Sequence, residues 1–138
     1  MVEPWVSDSR IHSYQDLKVW QLGMAISKEI YQLTHTFPKH ELYGITSQLR
    51  RSATSIPANI AEGHERGSTK DYLRHLSFAI GSLAECETFL LLSEELNYVA
   101  PSLTSRVLGM LAEEGRMIRS LQRSLRSKLR KTTKTTKG

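Results

Sequence analysis

A proline stands in the middle of a helical pattern between Glu41 and Gly63 (ELYGITSQLRRSATSIPANIAEG). Leu42, Ile45, Leu49, Ala53, Ile56 and Ile60 recur at spacings of three and four, which places them on one face of a helix. Pro57 falls inside that run. It lacks the backbone donor a helix needs and crowds the carbonyl of Ala53, a defect worth about 3 kcal/mol in a helix interior. The apolar spacing nevertheless stays in phase across it. The pattern therefore predicts a kinked but continuous helix from Glu41 to about Glu62, ended by Gly63, with Ile56 and Ile60 both facing a core. Such a helix needs packed neighbours to offset the defect.

Three other segments supply neighbours. From Asp16 to Thr36, Val19, Leu22, Ile26, Ile30, Leu33 and Phe37 make one stripe, and Trp20, Met24 and Tyr31 widen it beyond what one packed neighbour requires. Pro38 stops this helix, because the residue before a proline is pushed out of the helical region. Gly67 closes a turn, and Ser68 with Asp71 three residues later forms an approximate capping box. The helix it opens runs to about Leu96 with Tyr72, Leu73, Leu76, Ile80, Leu83 and Leu90 inward. Its small residues Ala79, Gly81, Ser82 and Ala84 predict close approach of a neighbour. Pro101 or Ser102 opens the last helix, whose stripe is Val107, Leu111, Ile118, Leu121, Leu125 and Leu129. Helices of this length joined by turns of a few residues must run antiparallel, so the fold class is all-α, an up-down-up-down four-helix bundle. We divide the chain into an irregular segment, residues 1–13, the bundle, 14–130, and a disordered basic tail, 131–138.

At 138 residues the chain is one domain's worth and can bury a core. We see no apolar run approaching a membrane span of about 18 residues and no charged-then-apolar leader, which predicts a cytoplasmic protein with no membrane partner. The single cysteine, Cys86, excludes an intrachain disulfide framework and reads as a small buried hydrophobe.

The segments Tyr14–Gln21, Phe37-Pro38-Lys39, Glu41–Gly63 and Asp71–Leu90 resemble the motifs of a small bacterial four-helix-bundle family. It takes in proteins encoded in intervening sequences of 23S ribosomal RNA genes and their Avd-like relatives. Tyr14–Gln21 (YQDLKVWQ) resembles its opening motif and Phe37-Pro38-Lys39 its first turn. Glu41–Gly63 resembles its second helix and Asp71–Leu90 its third, so the likeness covers roughly residues 14–98 in order. The resemblance implies a ring-forming homopentamer. The Avd-like branch implies an accessory that binds nucleic acid and the reverse transcriptase of a diversity-generating retroelement.

Charge marks the functional end. From Arg116 onward stand nine basic residues and no acidic one, whereas the other ten of the 19 basic residues share Met1–Gly115 with all 14 acidic ones, a balance of −4. Such asymmetry points to an anionic partner at that end. Arg116, Arg119, Arg123, Arg126 and Arg130 are spaced three and four apart. On a helix they form a strip about 80° wide, roughly 130° from the Ile118–Leu121–Leu125–Leu129 stripe. Lys128, Lys131, Lys134 and Lys137 extend the charge. Arginine's planar fork suits phosphate, and without an aromatic in the strip we expect backbone contacts to RNA or DNA with little sequence preference. A solvated face that only maintains solubility, or one that meets an acidic protein, is the competing explanation. Arg50 and Arg51 form a second basic pair, for which binding and pairing with a carboxylate are equally open. Asn59, Glu62 and Gly63 read as a cap or an inter-helix hydrogen bond. No HExxH, CxxC, phosphate loop or GxSxG is present, and His64, Glu65 and His75 form at most a weak metal constellation. We therefore expect a non-enzymatic protein with no cofactor and no metal.

Overall fold

The computed structural model describes residues 13–137, with side chains described for 13–132. Of the irregular N-terminal segment, residues 1–12 lie outside the described residues. The elements are a single turn at Tyr14–Asp16, α1 (Lys18–Thr34), a single turn at Lys39–Glu41, α2 (Ile45–Glu65), α3 (Thr69–Glu95) and α4 (Pro101–Lys137). Ser13 proves to be a cap rather than irregular chain. Its hydroxyl accepts from Gln15 N at 3.1 Å, while the Asp16 carboxylate accepts from Ser13 N at 3.2 Å.

Among the described residues, each helix packs on two others in the cycle α1–α2–α3–α4–α1, with the most extensive interface between α2 and α3. Cross-helix contacts fix the direction of each pair. Gly23 lies beside Pro57 and Thr34 beside Arg50, so α1 and α2 are antiparallel. Ser55 meets Ser82 while Asn59 meets His75, and Glu29 meets Arg106 while Gly23 meets Glu114. The antiparallel four-helix bundle expected from turn lengths is what these pairings build. Ile26, Ile30, Leu49, Ile56, Ile60, Leu76, Leu90, Leu111 and Ile118 are fully buried at its centre.

Pro57 does not break α2: the helix is continuous from Ile45 to Glu65, and Ile56 and Ile60 are both fully buried. The carbonyl that Pro57 leaves without a helical donor, that of Ala53, is reached from the neighbouring helix. The Ser27 hydroxyl donates to it at 3.2 Å, sharing its proton with the Gly23 carbonyl at 3.0 Å. Gly23 also lets the proline ring in, since a Cβ there would stand 3.2 Å from Pro57 Cβ and 2.8 Å from Glu114 Oε2. The packing that the sequence demanded around Pro57 thus comes from one serine and one glycine of α1.

Several expectations are corrected. Gly63 does not end α2, which continues for two residues. It is a close-approach site instead, because a Cβ there would meet His75 Cβ at 2.8 Å and Tyr72 Cδ1 at 3.1 Å. Residues 41–44 belong to a turn ahead of α2, so Leu42 is 48% exposed rather than inward. Ala79 and Ser82 are buried as expected of close contacts, but Gly81 and Ala84 are exposed, and a Cβ at Gly81 would meet nothing within 4 Å. The helix of α4 continues through Lys137 where we expected a disordered tail from Lys131. Extension of a docked helix requires no new nucleation, and lysines near its C-terminus favour the dipole. Finally, α3 is long and apolar enough to span a membrane by length and composition, with mean hydropathy 1.4 over its best window, a stretch the sequence reading overlooked. His75, Leu76, Ala79, Leu83, Cys86 and Leu90 of that helix are buried in the bundle.

The turns carry their expected chemistry. Ser68 Oγ accepts from Asp71 N at 3.1 Å, and Gly67 takes a φ of +76° in the left-handed region. At the opposite end, Asn97 closes α3 at φ +63°, a conformation asparagine tolerates better than other non-glycine residues. The Tyr98 hydroxyl then donates to Glu41 Oε2 at 2.8 Å, tying the α3–α4 connection to the α1–α2 turn.

Candidate nucleic-acid interface

The 3.6-residue period places the apolar stripe of α4 against the bundle. Val107, Leu111 and Ile118 are fully buried, and Leu121 and Leu125 are half-buried against the core. Arg116, Arg119, Arg123, Arg126 and Arg130 accordingly stand exposed on the far side, along about 21 Å of helix at 1.5 Å per residue. Among the described residues, no carboxylate lies within ion-pair distance of any of the five. Arg66 and Arg106, by contrast, are paired with Glu62 at 2.8 Å and Glu29 at 2.9 Å. Arg66 and Arg106 are thus neutralised locally, and the five arginines of the ridge are not.

The ridge is not uniform. Arg119, Arg123 and Arg126 line a groove of about 300 Å³ between α3 and α4, together with Ser77, Ile80 and Gln122. Gln122 is buried and donates from Nε2 to Ser77 Oγ at 3.4 Å, which holds the polar floor of the groove across the two helices. Arg116 and Arg130 flank this groove along the helix. Sequence reasoning missed Ser77 and Gln122. Gln122 gave a signal, a polar residue at the border of the apolar stripe, whereas Ser77 gave none because the register between α3 and α4 places it.

The remaining sequence candidates separate. Lys128 lies on a different face and lines a groove of about 230 Å³ with His64, Ser68, Thr69 and Tyr72 at the α2–α3 turn. Lys131 is exposed. Helical backbone through Lys137 puts positions 134 and 137 in register with the arginines, and their side chains lie outside the described ones. Arg50 and Arg51 diverge: Arg51 is exposed and lines a polar groove with Gln48, Ser55 and Glu85, whereas Arg50 is half-buried over Tyr31. Asn59 makes the inter-helix contact, its Oδ1 lying 3.2 Å from His75 Nδ1 while its amide donates to the Ser55 carbonyl at 2.9 Å.

Other chemically capable groups are bound into the fold. Cys86 is fully buried, and burial pushes its thiol up to about 11, so no thiolate forms near neutral pH. Burial likewise pushes the Tyr72 hydroxyl up to about 12. Among the described residues no group of three or more metal-ligating side chains gathers. One polar residue of the core was unforeseen. Glu114 sits in phase with the apolar stripe, is fully buried, and neither of its carboxylate oxygens has a partner among the described residues.

Against known proteins, residues 15–120 match the family described as 23S rRNA-intervening sequence protein. No curated protein matches the chain. Among solved structures, a protein of unknown function from the S23 ribosomal protein family of Bacteroides thetaiotaomicron is similar at 22% identity. The likeness covers 76% of this chain and 95% of that one, with a TM-score of 0.70. At that identity the likeness shows the fold, a four-helix bundle.

Proposed function

We propose that this chain, which belongs to the 23S rRNA-intervening sequence protein family, is a non-enzymatic binder of RNA or DNA that grips the phosphate backbone with the arginine ridge of α4. The observation that carries the proposal is the set of five exposed arginines in register, none of which has a carboxylate partner among the described residues. Like charges set this close repel one another unless an anion comes between them. Arg119, Arg123 and Arg126 present forked donors around one groove, and a polyanion supplies many acceptors at that spacing. No aromatic stands on the ridge, so contacts are to phosphate and carry little sequence information.

We extend the proposal to a cytoplasmic homo-oligomer, pentameric by the family resemblance, acting as an accessory beside an enzyme of nucleic-acid synthesis such as a reverse transcriptase. Met24, 47% exposed on α1, supports an assembly that covers it.

Salt dependence tests the ridge. Five phosphate contacts predict a slope of log affinity against log salt of about −3.5 on single strands and about −4.5 on duplex for each engaged subunit. Replacing Arg119, Arg123 and Arg126 together with glutamine should weaken binding alike across sequences and flatten the slope by about 2 to 3. Folding should be unaffected, because these side chains point away from the core. If the triple variant binds as tightly as the parent at every salt concentration, the ridge is a solvated face and the proposal is wrong.

A further inference from the structure

The α1–α2 turn carries a second cationic site of different construction. Arg50 donates from Nε to Thr34 Oγ1 at 2.9 Å, and its guanidinium carbon lies 4.6 Å from the centroid of the Tyr31 ring. Thr34 is itself fixed: it is buried, and its own proton goes to the Ile30 carbonyl at 2.7 Å. An arginine anchored at Nε and laid over an aromatic face has already lost much of its side-chain freedom, so its two remaining amino groups are pre-organised donors. No carboxylate takes them among the described residues. The acid of this turn, Glu41, is committed elsewhere: the Tyr98 hydroxyl bonds Oε2 at 2.8 Å and Ile45 N approaches Oε1 at 3.4 Å. These bonds hold its carboxyl below the usual range.

Arg50 lines a groove of about 380 Å³ with His35, Lys39 and Thr46, and Pro38 and Leu42 give it apolar lining. Thr46 is 2% exposed and its hydroxyl has no hydrogen-bond partner among the described residues. It belongs to the first turn of α2, whose first amide, Ile45 N, is already met by Glu41 Oε1, so the hydroxyl of Thr46 is the donor this turn leaves to the groove. An unpartnered buried hydroxyl is costly, and a ligand acceptor is one way to relieve it.

We propose that this groove binds a phosphate monoester, its oxygens on the Arg50 fork and Lys39 and its apolar body against Pro38 and Leu42. A tetrahedral dianion has the acceptors to use a fork, an ammonium and a hydroxyl together, whereas a carboxylate has only two oxygens. A free nucleotide and the phosphorylated end of a strand present the same chemistry. The groove lies apart from the ridge and does not depend on it.

The test is an amide chemical-shift titration of the full isotope-labelled chain with inorganic phosphate, uridine monophosphate, and a short oligonucleotide carrying a 5′-phosphate or a 5′-hydroxyl. Phosphate should shift amides of residues 34–50 first. Arg50→Lys keeps the charge but loses the fork and should weaken binding by about tenfold or more. The exposed Lys39→Gln should weaken it by a smaller factor. A 5′-phosphorylated strand that outbinds its 5′-hydroxyl counterpart through Arg50 identifies a strand end, and uridine monophosphate binding as tightly identifies a free nucleotide. Both uphold the proposal. Shifts spread evenly over groove and ridge, or a folded Arg50→Lys that binds phosphate like the parent, would overturn it. Should Arg50→Lys fail to fold, unchanged phosphate binding by Lys39→Gln would overturn it equally. The ridge triple variant should bind monophosphate normally, so the failure of one site is distinguishable from that of the other.

Discussion

Replacing Glu114 with glutamine should stabilise the protein, and by an amount that grows with pH. The carboxyl is fully buried beside Gly23 in the centre of the bundle, without a hydrogen-bond partner among the described residues. Burial, reinforced by the charge of Glu113, pushes its pKa from 4.5 to about 8. Between those values the folded chain holds a proton that the unfolded chain has released. The native state therefore binds more protons, and stability falls as pH rises. Below about 4.5 both states are protonated and the penalty vanishes; above about 8 both are ionised and the penalty is complete. Those roughly 3.5 pH units, at about 1.4 kcal/mol each, total about 5 kcal/mol, of which about 3.5 is present at neutral pH. Such an amount is a large share of the 5 to 15 kcal/mol that holds a typical domain together. Glutamine keeps the volume and the buried polarity and cannot ionise, so the difference between the two chains isolates the titration. Urea unfolding followed by helical circular dichroism should give near-equal stabilities around pH 4.5, an advantage for Glu114→Gln of about 3.5 kcal/mol near pH 7, and about 5 kcal/mol near pH 9. A difference that stays constant from about pH 5 to pH 8.5 would mean that Glu114 reaches solvent or a partner in the native state, and the reasoning would be refuted.

Ser27→Ala should cost about 1 to 3 kcal/mol, because the Ala53 carbonyl loses the hydroxyl that reaches it from α1. In a Pro57→Ala background, where the helix supplies its own donor again, the same change should cost clearly less; equal costs in the two backgrounds would separate the serine from the proline. Gly63→Ala should destabilise by about 1 to 3 kcal/mol through its contacts with His75 and Tyr72, whereas Gly81→Ala, with open space around it, should stabilise by about 0.5 to 1 kcal/mol in thermal or urea unfolding. Native mass spectrometry should find a homo-oligomer, pentameric by the resemblance, and a monomer at micromolar concentration would end that part of the proposal.

Periodicity and turn chemistry are properties of one segment at a time, and they were legible. The four helices, the Ser68 cap, the Gly67 turn, the burial of Ile56 and Ile60 across Pro57 and the exposure of the arginine ridge all follow from a 3.6-residue repeat and local backbone preference. Membership of the family was legible for the same reason, since its motifs are runs of contiguous sequence.

What the single strand of letters does not carry is the height and rotation of one helix against the next. That relation decided that Ser27 reaches the Ala53 carbonyl, and that Gly63 is a contact with α3 instead of a helix end. It also brought Ser77 and Gln122 to the arginine groove, sent Arg50 and Arg51 to different grooves, and enclosed Glu114. Each of these depends on side chains far apart in sequence meeting at a few ångströms, and close packing across helix faces sets those distances.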